Sequence, residues 1–243
     1  MKFVHLHVHS HYSLLDGLAK IDDLIAAALA DGAQAVALTD HGVMYGAIEF
    51  YQKCLKAGLK PIVGVEAYLA PNSRLDKIAK ADERNYHLLL LAKNLAGYRN
   101  LIRLTTIGHL EGYYYKPRID WEVLRAHHEG IIATSACLTG EIPRLLLAGK
   151  AEQAEKRIRE YQALFGAENF YLEVQPHADL PDQNRANIAL KEIGAALGMP
   201  LVAANDVHYI KKEDHDVQDV LLCLQTKNKL DDTARMMMHG EDY

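Results

Sequence analysis

Short apolar segments alternate with amphipathic helical segments along almost the whole chain, and this alternation limits the fold more than any other feature. Seven runs rich in β-branched or aromatic residues are predicted to be strands, at about 3–9, 34–39, 62–69, 86–92, 130–134, 169–175 and 200–205. Helical periodicity follows most of them, over 21–31, 44–57, 151–165 and 182–197. The predicted apolar faces include Ile48, Tyr51 and Leu55 in 44–57, and Ala154, Ile158, Tyr161 and Phe165 in 151–165. This order indicates a parallel sheet with helices outside it. We expect an α/β fold, with a closed or nearly closed barrel favoured over an open doubly wound sheet.

The chain length agrees with a single barrel domain. At 243 residues the chain has the size of one α/β barrel, and we predict one domain over residues 1–229. Residues 230–243 are mostly polar and contain a run of three methionines, and we expect them to begin a linker toward a further region. Two segments interrupt the alternation. Residues 70–85 are polar and predicted to lie on the surface, and 108–120 are predicted to form an aromatic and basic loop.

Charge, hydropathy and cysteine usage exclude several classes of protein. A net charge of −5 argues against nucleic-acid binding over a wide basic surface. The apolar runs are far shorter than the roughly 20 residues of a membrane span, and the N-terminus lacks the apolar core of a signal peptide. We therefore expect a cytoplasmic protein with no membrane partner. The three cysteines are an odd number and lie far apart in the sequence, so we expect no disulfide framework. Cys54 and Cys223 lie in helical patterns and are predicted to be core residues, whereas Cys137 is predicted to lie in a loop.

The histidines near the N-terminus form the first candidate site. His5, His7 and His9 alternate with aliphatic residues, so a strand would present all three imidazoles on one face. The solvent-facing side of an edge strand would show the same alternation. The first strand of a barrel is buried on both faces, however, and unpaired imidazoles are costly there. Two imidazoles at i and i+2, with Asp16 after them, make a good metal site.

Other residue types that bind metals follow the later predicted strands or lie within them. They are Asp40, His41, Glu66, Cys137, Asp206 and His208. The loops after the strands of a parallel α/β fold converge on one face, where active sites form. Each residue alone is weak evidence, because a lone buried His or Asp is more often a satisfied polar residue than a ligand. Together they predict a shared polar site.

Several motifs resemble those of the polymerase and histidinol phosphatase (PHP) superfamily. Its opening motif is similar to His7-Val8-His9-Ser10 followed by Ser13-Leu14-Leu15-Asp16-Gly17, and its later motifs are similar to Thr39-Asp40-His41-Gly42, Gly64-Val65-Glu66, Tyr86-His87-Leu88 and Asn205-Asp206-Val207-His208-Tyr209. A closer similarity, to the PHP domains of bacterial DNA polymerase III alpha subunits, rests on the segments 114–120, 134–138 and 219–226. The resemblance covers nearly the whole chain.

The resemblance implies a distorted (β/α)7 barrel that holds three divalent metal ions. Carried over residue by residue, the implied ligands are His7, His9, Asp16, His41, Glu66, His87, Cys137, Asp206 and His208. Such donors suit zinc and manganese, with iron as a further option, better than magnesium or calcium. Asp40 is expected to orient an imidazole instead of binding metal. His87 conflicts with the strand-end argument, because it lies at the start of its apolar run.

The implied function is metal-dependent phosphoester hydrolysis, with a 3′–5′ exonuclease acting on a DNA 3′ end as the first hypothesis. A metal-held hydroxide would attack phosphorus, so no protein nucleophile is needed. Cys137 as a nucleophile is an alternative that the surrounding carboxylates disfavour. We expect Lys116, Arg118 and His177 to contact substrate, and the tyrosines at 113–115 to stack on a terminal base. A packed loop with solvated charges is the competing interpretation.

Two other functions remain open at this stage. In the first, the domain is a scaffold that braces the rest of the polymerase alpha subunit and contacts a separate proofreading exonuclease subunit, and its metals serve only structure. In the second, it is a small-molecule phosphatase of the histidinol phosphate type. The complete ligand set argues against a purely vestigial site, and the motifs shared with polymerase subunits argue against the small-molecule phosphatase.

Overall fold

The structure is a computed structural model, and it describes residues 3–77, 85–177 and 180–238. The helices are α1 Ile21–Ala30, α2 Ala47–Lys56, α3 Leu95–Leu110, α4 Trp121–Ala126, α5 Glu141–Leu147, α6 Ala151–Phe165, α7 Pro181–Leu197 and α8 His215–Thr226. The strands are β1 Ala35–Leu38, β2 Lys60–Leu69, β3 Tyr86–Ala92, β4 Tyr113–Tyr114, β5 Lys116–Ile119, β6 Ile131–Thr134, β7 Phe170–Val174 and β8 Leu201–Ala203.

The chain divides into two compact units. Unit 1 comprises the described residues of Met1–Asp40, Tyr45–Val63 and Asn205–Tyr243, and unit 2 those of His41–Met44 and Gly64–Ala204. The predicted linker at 230–243 falls in unit 1 as far as residue 238, and residues 239–243 lie outside the described part of the chain. In the described residues no helix is long and apolar enough to cross a membrane.

Unit 2 contains a mixed sheet in the order β4-β5-β2-β3-β6-β7-β8. The pairs β2–β5, β6–β7 and β7–β8 are parallel, but β3 runs antiparallel to both β2 and β6, and β4 runs antiparallel to β5. The α/β prediction is confirmed, and the expectation of a wholly parallel sheet is wrong. The end of β2, at Leu69, lies opposite the start of β3, at Tyr86. An antiparallel pair of this kind needs no crossover helix.

The core of unit 2 lies between the sheet and its helices. α6 buries Ala154, Ile158, Tyr161 and Phe165, which are the four residues that its periodicity predicts. The ring of Tyr161 stacks on Phe170 of β7 with centroids 5.0 Å apart. The 3.6-residue period therefore predicted both the helix and its buried face, because one continuous apolar stripe leaves no alternative orientation.

Unit 1 is built around α1, α2 and a short parallel pair of strands. β1 pairs with the first four residues of β2, from Ala35↔Lys60 to Leu38↔Val63. The predicted strand at 3–9 is wrong for the described residues there, which form only an isolated bridge, Val8↔Val207. Backbone hydrogen bonds do hold this segment, but the Val8 N–H is taken by the Thr39 hydroxyl at 2.8 Å. The ladder is therefore interrupted where a regular strand would continue.

The apolar face predicted for α2 is not the face that is buried. Ile48, Tyr51 and Leu55 are exposed, whereas Phe50 and Cys54 are fully buried. α2 has two apolar stripes, so periodicity could not decide which one enters the core. The core positions of Cys54 and Cys223 are confirmed, and burial raises the pKa of the Cys54 thiol to about 11.

Candidate functional site

In unit 1 three histidines and two aspartates form a compact group, called here the aspartate cluster: His7, His9, Asp16, Asp206 and His208. Asp206 Oδ1 lies 3.1 Å from His7 Nε2 and 3.2 Å from His9 Nε2. His208 Nε2 lies 3.2 Å from Asp16 Oδ1, and the rings of His9 and His208 stack with centroids 4.3 Å apart. The three imidazoles are buried. The structure therefore brings together the first three implied ligands and the last two.

The hydrogen-bond network makes Nδ1 a donor in two of these rings. Ser13 Oγ donates to Asp40 Oδ1 at 2.8 Å, so it must accept the 3.0 Å hydrogen bond from His9 Nδ1. His208 Nδ1 donates to the backbone oxygen of Asp206 at 2.8 Å. His9 Nε2 and His208 Nε2 therefore face carboxylate oxygens. In the neutral rings these nitrogens are acceptors that the carboxylates repel, and a cation bound to both relieves that repulsion.

Asp40 acts on the aspartate cluster through its neighbours. Its carboxylate accepts hydrogen bonds from Ser10 N at 2.7 Å, from Ser10 Oγ and from Ser13 Oγ. It therefore reaches His9 through Ser13, which sequence reasoning did not single out. The signal was available, because Ser13 lies within the same short motif as His9 and Asp16.

Helix α8 supports Asp16, and this too was missed. Gln218 Nε2 donates to the backbone oxygen of Asp16 at 3.1 Å, and Gln225 Nε2 lies 3.5 Å from Asp16 Oδ2. The two glutamines are seven residues apart, so they share one helix face. This spacing was visible in the sequence, but nothing there connected α8 with a residue about 200 positions earlier.

In unit 2 four residues form a second group, called here the glutamate cluster: His41, Glu66, His87 and Cys137. Each carboxylate oxygen of buried Glu66 faces one imidazole, since His41 Nδ1 lies 2.7 Å from Oε2 and His87 Nδ1 lies 2.8 Å from Oε1. Cys137 Sγ lies 3.7 Å from Glu66 Oε1 and 3.6 Å from His87 Nδ1. An isolated parallel bridge, His41↔Glu66, fixes the loop after β1 against β2.

The antiparallel direction of β3 explains the position of His87. His87 lies at the start of β3 and directly opposite Tyr68, which is near the end of β2. Because β3 is antiparallel to β2 and β6, its first residues lie at the same edge of the sheet as the last residues of those two strands. The strand-end argument fails for His87 because it assumed a parallel strand, yet the structure still brings His87 to Glu66.

The glutamate cluster also has the composition and spacing of a cation site. One donor atom from each of His41, Glu66 and His87 can be chosen so that all lie within 4.8 Å of one another. Imidazole, carboxylate and thiol donors together favour zinc, manganese or iron. The expectation that both clusters belong to one centre of three metals stays a prediction.

The three expected substrate contacts have different surroundings. Arg118 is only 1% exposed, and its guanidinium donates to the backbone oxygens of Gly112, Arg74 and Asp76. These bonds hold the side chain inside the fold, and its expected contact with a phosphate stays a prediction. Lys116 is half-buried, with Nζ 5.3 Å from the centre of the Tyr68 ring. His177 is half-buried three residues after β7, and its role stays a prediction.

The chain is similar to known proteins both in sequence and in fold. Residues 5–177 match the PHP domain family. Over its whole length the chain is 47% identical to DNA polymerase III subunit alpha of Treponema pallidum, 49% to that of Borreliella burgdorferi and 47% to that of Thermus aquaticus. It covers 21%, 21% and 20% of these proteins, and so spans about a fifth of their length.

Two solved structures share the fold at 16% sequence identity. One is an amidohydrolase from Chromobacterium violaceum with bound sulfate, with a TM-score of 0.56 over 84% of this chain and 87% of that one. The other is a two-domain protein from Bacteroides vulgatus that contains a predicted PHP-like metal-dependent phosphoesterase, with a TM-score of 0.51 over 88% and 54%. The extent of the family match, together with the whole-length similarity to the polymerase subunits, establishes that the chain belongs to the PHP domain family.

Proposed function

We propose that this PHP domain is a metal-dependent phosphoesterase of a DNA polymerase III alpha subunit, and that it removes nucleotides from DNA 3′ ends. The observation that carries the proposal is the orientation of His9 and His208. Both rings donate from Nδ1 and direct Nε2 at a carboxylate oxygen, an arrangement that favours a bound cation. The similarity to polymerase subunits supplies the substrate class.

Each cluster has a defined part in this function. We assign His7, His9, Asp16, Asp206 and His208 as ligands in unit 1, and His41, Glu66, His87 and Cys137 as ligands in unit 2, for three ions of zinc or manganese, with iron as the alternative. When bound, such ions lower the pKa of a bound water and stabilise charge on phosphate oxygens. Asp40 and Ser13 hold His9 in its ligand tautomer, and Lys116 supplies a cation for a substrate phosphate.

A scaffold is the second candidate function, and one observation favours it. Ile48, Tyr51 and Leu55 form an exposed apolar stripe on α2, which is the kind of surface that proteins bury against partners. The relatives are about five times as long as this chain, so the rest of an alpha subunit is available to cover the stripe. A separate proofreading exonuclease subunit is the other partner we consider.

The experiment is a primer-shortening assay on the 243-residue chain loaded with zinc or manganese. The substrate is a 5′-labelled primer with a mismatched 3′ end, and bis(p-nitrophenyl) phosphate serves as a simple ester. We expect stepwise shortening, reduced by about 100-fold or more in Asp206→Asn and Glu66→Gln. Asp182→Asn and Glu155→Gln, which change exposed carboxylates, are the matched controls and should retain full activity.

The outcome separates the two candidate functions. If the metal-loaded wild-type chain binds stoichiometric metal yet leaves both DNA and the simple ester intact, the phosphoesterase proposal fails and the scaffold is favoured. Counting bound metals in the same preparation also tests the expected three ions. Loss of metal in both Asp206→Asn and Glu66→Gln, but not in their controls, would assign ligands to both clusters.

A further inference from the structure

The β4–β5 hairpin, residues 113–119, is held in place by contacts with the rest of unit 2. β4 and β5 pair with Tyr114 opposite Lys116, and β5 continues alongside β2 with Tyr68 opposite Arg118. The buried Arg118 guanidinium ties the hairpin to three backbone oxygens. At Gly112, just before β4, an added Cβ would lie 1.9 Å from the backbone oxygen of Arg118. The hairpin is therefore a fixed part of the surface.

This hairpin packs directly against the residues that carry the glutamate cluster. A Cβ at Gly42, next to His41, would lie 2.7 Å from Pro117 Cγ, so the loop and the hairpin are in close contact. Lys116 Nζ lies over the Tyr68 ring, and that ring stacks on His41 with centroids 6.0 Å apart. Tyr68 also meets His87 edge-on at 5.2 Å. One aromatic ring therefore separates Lys116 from two proposed metal ligands.

The tip of the hairpin presents aromatic side chains to solvent. Tyr113 is 53% exposed and Tyr115 is 65% exposed. Tyr115 also has φ +60, a left-handed conformation that glycine or asparagine adopts more easily. Its ring meets the Tyr114 ring edge-on with centroids 4.6 Å apart but stays mostly exposed, so burial compensates little of this strain. Backbone outliers of this kind concentrate at binding and active sites.

We propose that the hairpin is a binding subsite for the unpaired terminal nucleotides of a DNA strand. The rings of Tyr113 and Tyr115 stack on bases, and the Lys116 ammonium binds a backbone phosphate. This inference rests on the proposed function and adds the form of the substrate, a frayed single strand. Base–aromatic stacking tolerates any sequence, as a trimming enzyme requires. A single local cation also suits a chain whose net charge of −5 gives no wide basic surface.

Binding is measured without catalysis, so that this inference is tested separately from the proposed function. The 243-residue chain is kept in EDTA and titrated into fluorescein-labelled oligo(dT) of eight nucleotides, and fluorescence anisotropy is recorded. A blunt duplex of the same length is the competing ligand. We expect the single strand to bind more tightly, and affinity to fall about tenfold or more in Tyr113→Ala/Tyr115→Ala. Lys116→Ala should weaken binding and reduce its salt dependence.

Three further variants keep the result interpretable. Tyr115→Gly removes the ring and relieves the left-handed strain, so a loss of affinity in this variant cannot be attributed to unfolding. Tyr115→Phe keeps a stacking ring and should bind as wild type. Tyr51→Ala removes an exposed tyrosine from α2 in unit 1 and should leave affinity unchanged.

The subsite is overturned if the hairpin variants bind the single strand as tightly as wild type, or if Tyr51→Ala weakens binding equally. If wild type hydrolyses the simple ester while affinity is insensitive to the hairpin, the phosphoesterase stands and the subsite falls. In the opposite case the wild-type chain hydrolyses neither substrate, and Tyr115→Gly binds the single strand more weakly than wild type. The subsite then stands and the proposed phosphoesterase falls.

Discussion

Ser13 donates a hydrogen bond to Asp40 across 27 residues of sequence, and this bond makes the serine oxygen an acceptor for His9 Nδ1. A serine hydroxyl has one proton, so when Asp40 takes it the oxygen can only accept from His9 Nδ1. In the neutral ring His9 Nε2 then keeps its lone pair, which is the form that binds metal. Asp40 and Ser13 therefore prepare a ligand without belonging to the proposed ligand set.

Removing the serine hydroxyl should weaken metal binding in unit 1. In Ser13→Ala, His9 loses the hydrogen bond that makes Nδ1 the donor, so we expect zinc affinity to fall about 10- to 100-fold. Competition against a chromogenic chelator measures this change. Ser73→Ala is the matched control, because within the described residues the Ser73 hydroxyl only accepts a local hydrogen bond from Leu75 N. Equal zinc affinity in Ser13→Ala and wild type would refute the positioning role.

The space around Gly42 predicts a second effect on the proposed site. Gly42 and Gly58 both have positive φ, at 63° and 74°, but only Gly42 is crowded by Pro117 and Tyr68. We expect Gly58→Ala to lower the free energy of unfolding by about 1–2 kcal/mol through backbone strain alone. Gly42→Ala should lose about 1–3 kcal/mol more, because the methyl group displaces its neighbours.

The same pair of glycine variants also reports on His41. A shift of the loop at Gly42 moves the adjacent imidazole away from Glu66, so Gly42→Ala should release metal more readily than Gly58→Ala. Urea unfolding and metal retention after gel filtration are the two measurements. If the two variants behave alike in both, the contact between Gly42 and the hairpin does not constrain the site.

The sequence correctly predicted a helix and its buried face where the helix has only one apolar stripe. α6 is the clearest case, since its single apolar stripe fixed both the helix and its buried face. α2 failed because Ile48, Tyr51 and Leu55 are as apolar as the stripe that is buried. A choice between two such stripes depends on the rest of the core, and no local pattern contains that information.

Strand direction was the other limit. Nothing within the apolar run at 86–92 distinguishes a parallel from an antiparallel strand, because both have the same period. His87 was identified by resemblance and misplaced by geometry, and the direction of β3 resolves the conflict. Arg118 shows a different limit. An arginine beside tyrosines resembles a phosphate contact, but only the fold shows that its guanidinium also donates to the backbone oxygens of Gly112, Arg74 and Asp76.

Glu141 should make the free energy of unfolding fall as pH rises, the opposite of what a carboxylate with a lowered pKa does. Burial raises the pKa of this carboxyl, and Arg157 and Tyr161, which bond to it, only partly offset that effect. The native state therefore holds the proton more tightly than the unfolded state. The contribution of protonated Glu141 to the free energy of unfolding is therefore complete below the unfolded pKa of 4.5. It is lost as pH rises through the higher native pKa.

A difference measurement isolates this residue from all other titrating groups. The free energy of unfolding of Glu141→Gln minus that of wild type should increase as pH rises from 4.5, and then level off above the native pKa. Urea unfolding at several pH values supplies the numbers. The same difference for Glu155→Gln, an exposed carboxylate paired with Arg159, should stay nearly flat. A fall with rising pH for Glu141→Gln would mean that the ion pair with Arg157 outweighs burial.

The two stripes of α2 provide the last test, which compares adjacent aromatic residues. Phe50 is fully buried in the core of unit 1, whereas its neighbour Tyr51 is exposed. We expect Phe50→Ala to lower the free energy of unfolding by about 3–5 kcal/mol, since it leaves a cavity. Tyr51→Ala should change it by about 0.5 kcal/mol or less. Equal losses in urea unfolding of the 243-residue chain would show that the stripe containing Tyr51 is buried after all, by another part of the chain or by a second copy.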